Sequence, residues 1–333
     1  MEKSHFEEIE LELHDISLLL NYERASTEPR FRHTKLREVT TNQFSTIKFL
    51  TPVWEQVTRP KIGFVFDRVK PTKSSRDDPD LASKMVPTNT PAILSHLSAK
   101  ELETYYWQAR NHDGCFTTVS LFQHFIDLFP GSIQILVRRV DKDKVLVYRT
   151  LASDRLIMEM ELHEPRTVSM SVVVPDNQTY ITGDDPTMVH AVLGFGPPGS
   201  SIDTILDLAS LQFGDVGRGN KGRSLFVLES ISQYTNRLEN FAKSSNFNDP
   251  KLSQRIRGTP NEDWLRMVAQ RTKERWEKRD SVPWCGHCGA PPLRDRDLKK
   301  CSKCKAAWYC DTDHQTAAWT FHKHFCKEVR NQK

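Results

Sequence analysis

Apolar residues recur at intervals of three and four in several stretches, as they do on one face of a helix. This pattern predicts helices over residues 1–22, 98–110, 117–129, 224–243 and 261–279. The second helix begins at Ser98, with Glu101 three positions later, which is the spacing of a capping box. Asn261 is a favourable N-cap residue for the last helix.

Between residues 133 and 213 the pattern changes to short runs rich in β-branched residues and separated by turn signals. The predicted strands are IQILVRRV, KVLVYRTL, TVSMSVVVP, VHAVLGFG and TILDLASLQF. Helices come first, strands follow, and a cysteine-rich segment ends the chain. We therefore predict an α+β fold, with a larger domain of helices and antiparallel sheet followed by a small C-terminal module.

Two stretches have the composition of connecting segments. Residues 71–91 are rich in Pro, Ser, Thr and charge, and residues 244–260 combine polar residues with Pro and Gly. The predicted organisation is 1–70, an N-terminal helical or extended region; 71–91, a loop or linker; 92–243, the α+β domain; 244–280, a hinge and connecting helix; and 281–330, a zinc finger.

The overall composition is that of a soluble protein, with 38% hydrophobic and 27% charged residues among 333. The sequence has no apolar run of the length that spans a bilayer, and its acidic start lacks the features of a secretory signal. We expect the protein in the cytosol, the nucleus or both, without a membrane partner.

Six of the seven cysteines fall within the last fifty residues. A disulfide framework would spread cysteines along the chain, whereas clustered pairs in a reducing compartment are typical of metal ligands. The candidate ligands form four pairs: Cys285-x2-Cys288, Cys301-x2-Cys304, Cys310-x3-His314 and His322-x3-Cys326. An x2 pair reaches one ion from a tight turn, and an x3 pair on a helix faces one side. Eight ligands suffice for two tetrahedral zinc ions.

Residues 284–326, WCGHCGAPPLRDRDLKKCSKCKAAWYCDTDHQTAAWTFHKHFC, resemble the MYND finger family. The resemblance implies a cross-brace, with Cys285, Cys288, Cys310 and His314 on one zinc ion and Cys301, Cys304, His322 and Cys326 on the other. With four protein ligands each, both sites are expected to be structural and to have no open position for a catalytic water.

His314 departs from the family, in which this ligand is usually cysteine. Imidazole is a normal zinc ligand, so a Cys3His site is expected, although it should lose metal more readily in acid. The alternatives are that His314 does not ligate, or that His287 or His324 substitutes for a neighbouring ligand.

The MYND resemblance also implies docking of short proline-containing peptides from protein partners. Four aromatic residues are candidates to line such a groove or to pack around the metals: Trp308, Tyr309, Trp319 and Phe321. Residues 251–333 hold 19 Lys and Arg against 10 Asp and Glu, a net charge of +9. This charge allows a nucleic-acid partner, but we favour a solvated basic tail.

Cys115 stands alone at the predicted start of a helix, followed by His190 and Asp207 in two predicted strands. A helix N-terminus favours the thiolate, and residues 100–225 resemble papain-like and transglutaminase-like domains in this order of nucleophile, base and orienting acid. The resemblance implies catalysis through Cys115, His190 and Asp207, although Phe116 follows where that group usually has a nearby Trp. We expect a non-catalytic scaffold; the alternative is a thiol amide hydrolase or acyl transferase.

Overall fold

A computed structural model describes residues 10–48, 52–73, 76–87, 89–142, 144–293 and 297–327. In this part of the chain the α-helices are α1 (Leu13–Thr27), α2 (Pro52–Gln56), α3 (Ala99–Arg110), α4 (Gly114–Ile126), α5 (Gly219–Gly222), α6 (Ile231–Phe241), α7 (Glu262–Glu277) and α8 (Thr312–His322). The strands are β1 (Glu10–Glu12), β2 (Thr34–Thr40), β3 (Lys61–Arg68), β4 (Gln134–Asp141), β5 (Lys144–Leu151), β6 (Leu156–Pro165), β7 (Val168–Val174), β8 (Gln178–Thr182), β9 (Thr187–Phe195), β10 (Thr204–Asp207), β11 (Val227–Ser230), β12 (Ala242–Ser245), β13 (Lys251–Ser253), β14 (Lys299–Lys300) and β15 (Trp308–Tyr309).

The strands of the larger domain form three sheets. One has the order β1-β4-β5, the second β2-β3-β7-β8, and the third β11-β10-β9-β6, with β12 and β13 both paired to β6. Pairing is antiparallel except for β1 with β4 and β3 with β7, which are parallel. The predicted α+β class is confirmed; the third sheet is antiparallel throughout, and each of the other two contains one parallel pair. In the described residues, no helix is both long enough and apolar enough to cross a bilayer.

Helix α4 is the buried centre of the larger domain, and it packs against α7, β9 and α1. Its apolar face includes Val119, Phe122 and Phe125, each at most 2% exposed. Burying a side chain of this size contributes roughly 1.5–3 kcal/mol to folding. The helix begins at Gly114, three residues before its predicted start, and so includes Cys115.

The two predicted helix starts had different outcomes. Ser98 and Glu101 form the expected capping box of α3. Asn261 precedes α7 but lies in the left-handed region, with a φ of 56°, and its side chain makes no capping hydrogen bond. Its prediction as a side-chain cap was therefore wrong, although the helix itself is present.

Several predicted elements differ in extent. The strand predicted over 204–213 ends at Asp207 and continues into a 3-10 segment, Ser210–Gly217. The helix predicted over 224–243 contains β11, α6 and the start of β12. A capping box of Ser230 and Gln233 sets the start of α6. Of the first predicted helix, residues 1–9 lie outside the described residues, and the helical part begins at Leu13 after β1.

Sheet pairing joins segments that composition alone had separated. Strands β2 and β3, from the region 1–70, share one sheet with β7 and β8, from the region 92–243. The C-terminal finger also packs on the larger domain, because Arg275 of α7 donates to both the Glu23 carboxylate and the Gly289 carbonyl. A Cβ atom at Gly289 would lie 2.4 Å from the Leu18 carbonyl oxygen, so only glycine allows this close approach.

Candidate functional site

The finger places its ligands on two turns, the end of β15 and the ends of α8. Both histidine ligands lie on α8, with His314 in its first turn and His322 at its last residue. Cys310 precedes the N-cap residue Asp311, and Cys326 follows the helix. The two x3 pairs therefore straddle the helix ends, and the prediction that both members of each pair lie on a helix was wrong.

The first candidate zinc site brings together Cys285, Cys288, Cys310 and His314, whose ligand atoms all lie within 4.8 Å of one another. The Cys288 and Cys310 sulfurs are 3.7 Å apart, and Cys285 Sγ is 3.3 Å from His314 Nδ1. Zn–S bonds of about 2.3 Å in a tetrahedron separate two sulfurs by about 3.8 Å. The donor set and its spacing fit one zinc ion, with His314 ligating through Nδ1.

The second site brings together Cys301, Cys304, His322 and Cys326 within the same limit. Cys301 Sγ is 3.9 Å from Cys326 Sγ, and Cys304 Sγ is 3.5 Å from His322 Nε2. This spacing also fits a tetrahedral zinc ion. The cross-brace, in which the first and third pairs share one ion and the second and fourth share the other, is the arrangement that the MYND resemblance implied.

A carboxylate from the larger domain lies behind the first zinc site. Glu103 of α3 has one oxygen 3.1 Å from His287 Nε2 and 3.5 Å from His314 Nε2, and its other oxygen accepts a hydrogen bond from Arg218 at 2.9 Å. Burial alone would raise the pKa of Glu103, but the charge of His287 and its hydrogen bond, together with the Arg218 charge, hold it below its usual range. Glu103 is therefore a carboxylate at neutral pH.

The histidines that were alternative ligands lie outside both clusters. His287 is buried, at 4% exposure, and its Nε2 lies 3.1 Å from a Glu103 carboxylate oxygen. His324 is partly buried, and neither residue belongs to the two four-residue zinc clusters. Asp311 accepts a hydrogen bond from the His314 amide, so it caps α8, and Asp313 is exposed.

Comparisons with known proteins agree with this geometry. Residues 285–326 match the family model of the MYND finger. This segment is a MYND finger. The chain is also similar to the MYND-type zinc finger protein samB of Aspergillus terreus, Aspergillus niger and Neosartorya fischeri, at 32% identity over 65 residues in each case. That match covers 19% of this chain and 11% of each relative.

No solved structure matches the chain. The papain-like or transglutaminase-like fold of the larger domain therefore stays a prediction. The MYND finger, by contrast, supplies eight ligands for two zinc ions and marks the C-terminal segment as a zinc-binding protein-interaction module.

The aromatic residues of the MYND finger have different environments. Tyr309 is buried, at 1% exposure, and packs beside the zinc ligands, whereas Trp319 is 40% exposed. Trp308 and Phe321 are half-buried and line a cavity of about 650 Å³ between the finger and the larger domain. Trp284 and Phe325 line the same cavity. These four rings, Trp284, Trp308, Phe321 and Phe325, are called the aromatic groove below.

The larger domain does bring its three predicted catalytic residues together. His190 Nε2 lies 2.8 Å from Asp207 Oδ2, and strands β9 and β10, which carry them, are neighbours in one sheet. Burial alone would lower the pKa of His190, but the Asp207 carboxylate, helped by a hydrogen bond with Cys115, raises it to about 10. The Cys115 sulfur also lies 3.8 Å from the Val189 carbonyl oxygen.

Two further side chains complete this cluster and were not identified from the sequence. Tyr234 of α6 donates to Asp207 Oδ2 at 2.8 Å, and Gln212 Nε2 lies 3.1 Å from His190 Nδ1. Gln212 was predicted in a strand but lies in the 3-10 segment, whereas Tyr234 lies in a helix as predicted. In neither case did a local signal place the side chain near His190 and Asp207. Together with Cys115, His190 and Asp207, they form what is called the buried triad cluster below.

The buried triad cluster lies in the protein core. Cys115 is 3% exposed, His190 0% and Asp207 1%. The Phe213 ring stands edge-on to His190 at 5.4 Å and stacks on Phe241 at 4.0 Å. The geometry therefore contains the base and acid pair of a thiol enzyme, but the thiol is covered and bonds the Val189 carbonyl, and Gln212 occupies the second nitrogen of His190.

The turn before Cys115 is fixed by buried polar contacts. His112 bonds through its two ring nitrogens to Thr182 and Ser171, each at 2.9 Å. Burial, with a smaller contribution from the Arg30 charge, lowers the pKa of His112 to about 3, so the ring stays neutral. His112 thus anchors the start of α4 to the sheet that contains β7 and β8.

Proposed function

We propose that the MYND finger docks short proline-containing peptides of a protein partner, and that the larger domain is a non-catalytic scaffold. The observation that carries this proposal is the aromatic groove beside the second zinc site. Proline-rich segments bind grooves lined with aromatic rings because their preformed, extended conformation loses little entropy on binding. Trp308 lies on β15 and Phe321 on α8, and zinc ligands follow β15 and lie on α8, so zinc binding fixes how the two rings are placed.

Burial of the triad supports the role of scaffold. A buried ion pair between His190 and Asp207, with a hydrogen bond from Tyr234, holds β9, β10 and α6 in register. Such a network specifies one packing arrangement when all its members are satisfied. Because six cysteines must stay reduced to bind zinc, we place the protein in the cytosol or the nucleus.

Trp308→Ala should weaken binding of a proline-containing peptide by roughly 30-fold in Kd, which corresponds to about 2 kcal/mol for an aromatic hot spot. Trp319→Ala is the matched control, because this exposed ring is outside the groove and its loss should change Kd by less than about threefold. Calorimetry with a panel of synthetic proline-containing peptides, each paired with an alanine-substituted version, measures both effects.

The zinc content of each variant shows whether weaker binding comes from loss of the ring alone or from unfolding of the finger. Both tryptophan variants should retain two zinc ions per chain, since neither residue is a ligand. Peptide docking would be rejected if the alanine-substituted peptides bound as tightly as the proline-containing ones, or if Trp308→Ala and Trp319→Ala weakened binding equally.

A second candidate function is thiol chemistry at Cys115, favoured by the pairing of His190 with Asp207 and by the Cys115 sulfur, which lies at the start of α4 against the strand that carries His190. In such a reaction His190 would first have to be neutral and to release Nδ1 from Gln212. The thiol proton then passes to His190, and the thiolate sulfur attacks an amide carbonyl. The amine leaves with the proton from His190, and water or another amine then accepts the acyl group. Phe213 and its neighbours would have to move aside first.

Alkylation of Cys115 separates the two functions. For a scaffold, we expect iodoacetamide to leave Cys115 unmodified in the folded zinc-loaded protein and to modify it only after unfolding, because the sulfur is buried. Peptide mapping by mass spectrometry reports on this cysteine alone. The enzyme would instead be supported if Cys115 reacted faster than free cysteine and if this faster reaction disappeared in His190→Ala.

A further inference from the structure

Glu103 is the point at which the larger domain contacts the metal chemistry of the MYND finger. Its carboxylate faces the rings of both His287 and His314, which lie 4.7 Å apart between centroids. Glu103 belongs to α3, and its side chain is 14% exposed. A single carboxylate from one domain therefore contacts two rings of the other.

The two nitrogens of His314 have different neighbours. Nδ1 lies 3.3 Å from Cys285 Sγ, on the side of the zinc cluster, and Nε2 lies 3.5 Å from Glu103. When Nδ1 ligates zinc, the remaining ring proton is on Nε2, the nitrogen that lies 3.5 Å from the carboxylate. A carboxylate in this position orients a metal-bound imidazole and increases its basicity.

The carboxylate is itself held in place by the larger domain. Arg218, only 2% exposed in its side chain, donates to Glu103 at 2.9 Å and to the Thr104 hydroxyl at the same distance. The guanidinium also pairs with Asp215 at 3.1 Å. Glu103 therefore has a partner within the larger domain, and its position does not depend on the histidines alone.

We propose that Glu103 is a positioning residue for the first zinc site, and that its contact with His314 couples zinc retention in the finger to docking of the finger on the larger domain. A cysteine ligand, which is the usual family residue here, has no second polar atom to reach Glu103. Histidine at position 314 thus makes this link available. At the second site, the described residues give His322 ring contacts with Tyr309 and Trp319, and no hydrogen bond to a carboxylate.

Glu103→Ala in the full chain should make the first site lose zinc roughly 10- to 100-fold more readily, the usual effect of removing an outer-sphere partner of a metal ligand. A chelator challenge followed by N-ethylmaleimide labelling and peptide mapping measures it. Labelling of Cys285, Cys288 and Cys310 should accelerate, whereas labelling of Cys301, Cys304 and Cys326 should not. The second site is thus an internal control.

The decisive test repeats Glu103→Ala in a chain that already carries His314→Cys. This variant keeps four ligands but removes the ring that faces Glu103. In the His314→Cys chain, Glu103→Ala should change the labelling rate of the first site by less than about threefold, which is a fraction of its effect in the wild-type chain. An equal effect in both backgrounds would overturn the proposal and make Glu103 a general packing residue.

Two further variants guard against unfolding and non-specific charge effects. Glu103→Gln keeps the size of the side chain and one acceptor oxygen, so its labelling rate should fall between those of wild type and Glu103→Ala. Asp313→Asn removes an exposed carboxylate beside the same site and should leave the labelling rate unchanged. Acceleration by Asp313→Asn equal to that by Glu103→Ala would also overturn the proposal.

Discussion

Purified full-length protein should contain two zinc ions per chain, and Cys301→Ala should contain one. Cys301 is buried, at 1% exposure, and its sulfur lies against Cys326 in the second site. A small zinc module has little core of its own, so each structural ion contributes on the order of 10 kcal/mol to its fold. Atomic emission spectroscopy gives the stoichiometry, and near-ultraviolet circular dichroism of the finger tryptophans reports on loss of its packing.

Cys115→Ala is the matched control for this variant, because that cysteine is buried but lies outside both zinc clusters. It should keep two zinc ions. Two zinc ions in Cys301→Ala, or one in the parent chain, would contradict the cross-brace.

The same measurement on His314→Ala resolves the alternatives for the first site. Since His287 faces Glu103 and lies outside the four-residue cluster, we expect no substitution, and zinc should fall to one per chain. Retention of two ions would mean that the remaining three cysteines bind zinc with another ligand.

Asp207→Ala should reduce the free energy of unfolding of the larger domain by about 3–5 kcal/mol, the usual cost of removing one partner of a buried ion pair. The Asp207 carboxylate accepts hydrogen bonds from His190, from Tyr234 and from the Ala209 amide. Removing it leaves all three donors in the core without their acceptor. Urea unfolding of the zinc-loaded protein measures the loss.

Tyr234→Phe is the graded control, because it removes one hydrogen bond to Asp207 and leaves the ion pair. Its cost should be about 1–2 kcal/mol. Equal and small losses in both variants, below about 1 kcal/mol, would show that the His190–Asp207 contact is not a buried ion pair.

The ion pair also predicts a pH dependence of stability. The folded pKa of His190, about 10, lies above the value of about 6.5 for unfolded histidine. Its contribution to stability is therefore fully present below about pH 6.5 and is lost as the pH rises towards 10. Asp207→Asn should flatten the fall in unfolding free energy over this range; an unchanged slope would contradict the raised pKa.

The eight zinc ligands could be predicted from the sequence because the ligands of each pair lie close together in the chain. A thiolate or imidazole has to be present at short, regular spacings, and few other functions require four such pairs in 42 residues. Helix α3 was similarly accessible, since Ser98 and Glu101 form a capping box within one turn. The periodicity of α4 was also sufficient to identify its buried face.

The buried triad cluster could be predicted only in part from the sequence. Cys115, His190 and Asp207 were proposed from their order and local elements; the fold pairs His190 with Asp207 and places the Cys115 sulfur against the Val189 carbonyl. Tyr234 and Gln212 were not identified, because the contacts they make depend on how α6 and the 3-10 segment fold back over β10. Burial of the cluster, which supports the proposed scaffold role, could not be predicted from the sequence either.

The sequence by itself determined the metal, the ligand set and the class of the fold, because these follow from side-chain chemistry and from periodicity within single elements. Only the tertiary structure decided that β2 and β3 join β7 in one sheet, that the triad is covered, and that Glu103 reaches His314. All three features depend on contacts between residues that lie more than 60 positions apart in the chain. Long-range packing is the sum of many weak contacts, and no local pattern records which partners meet.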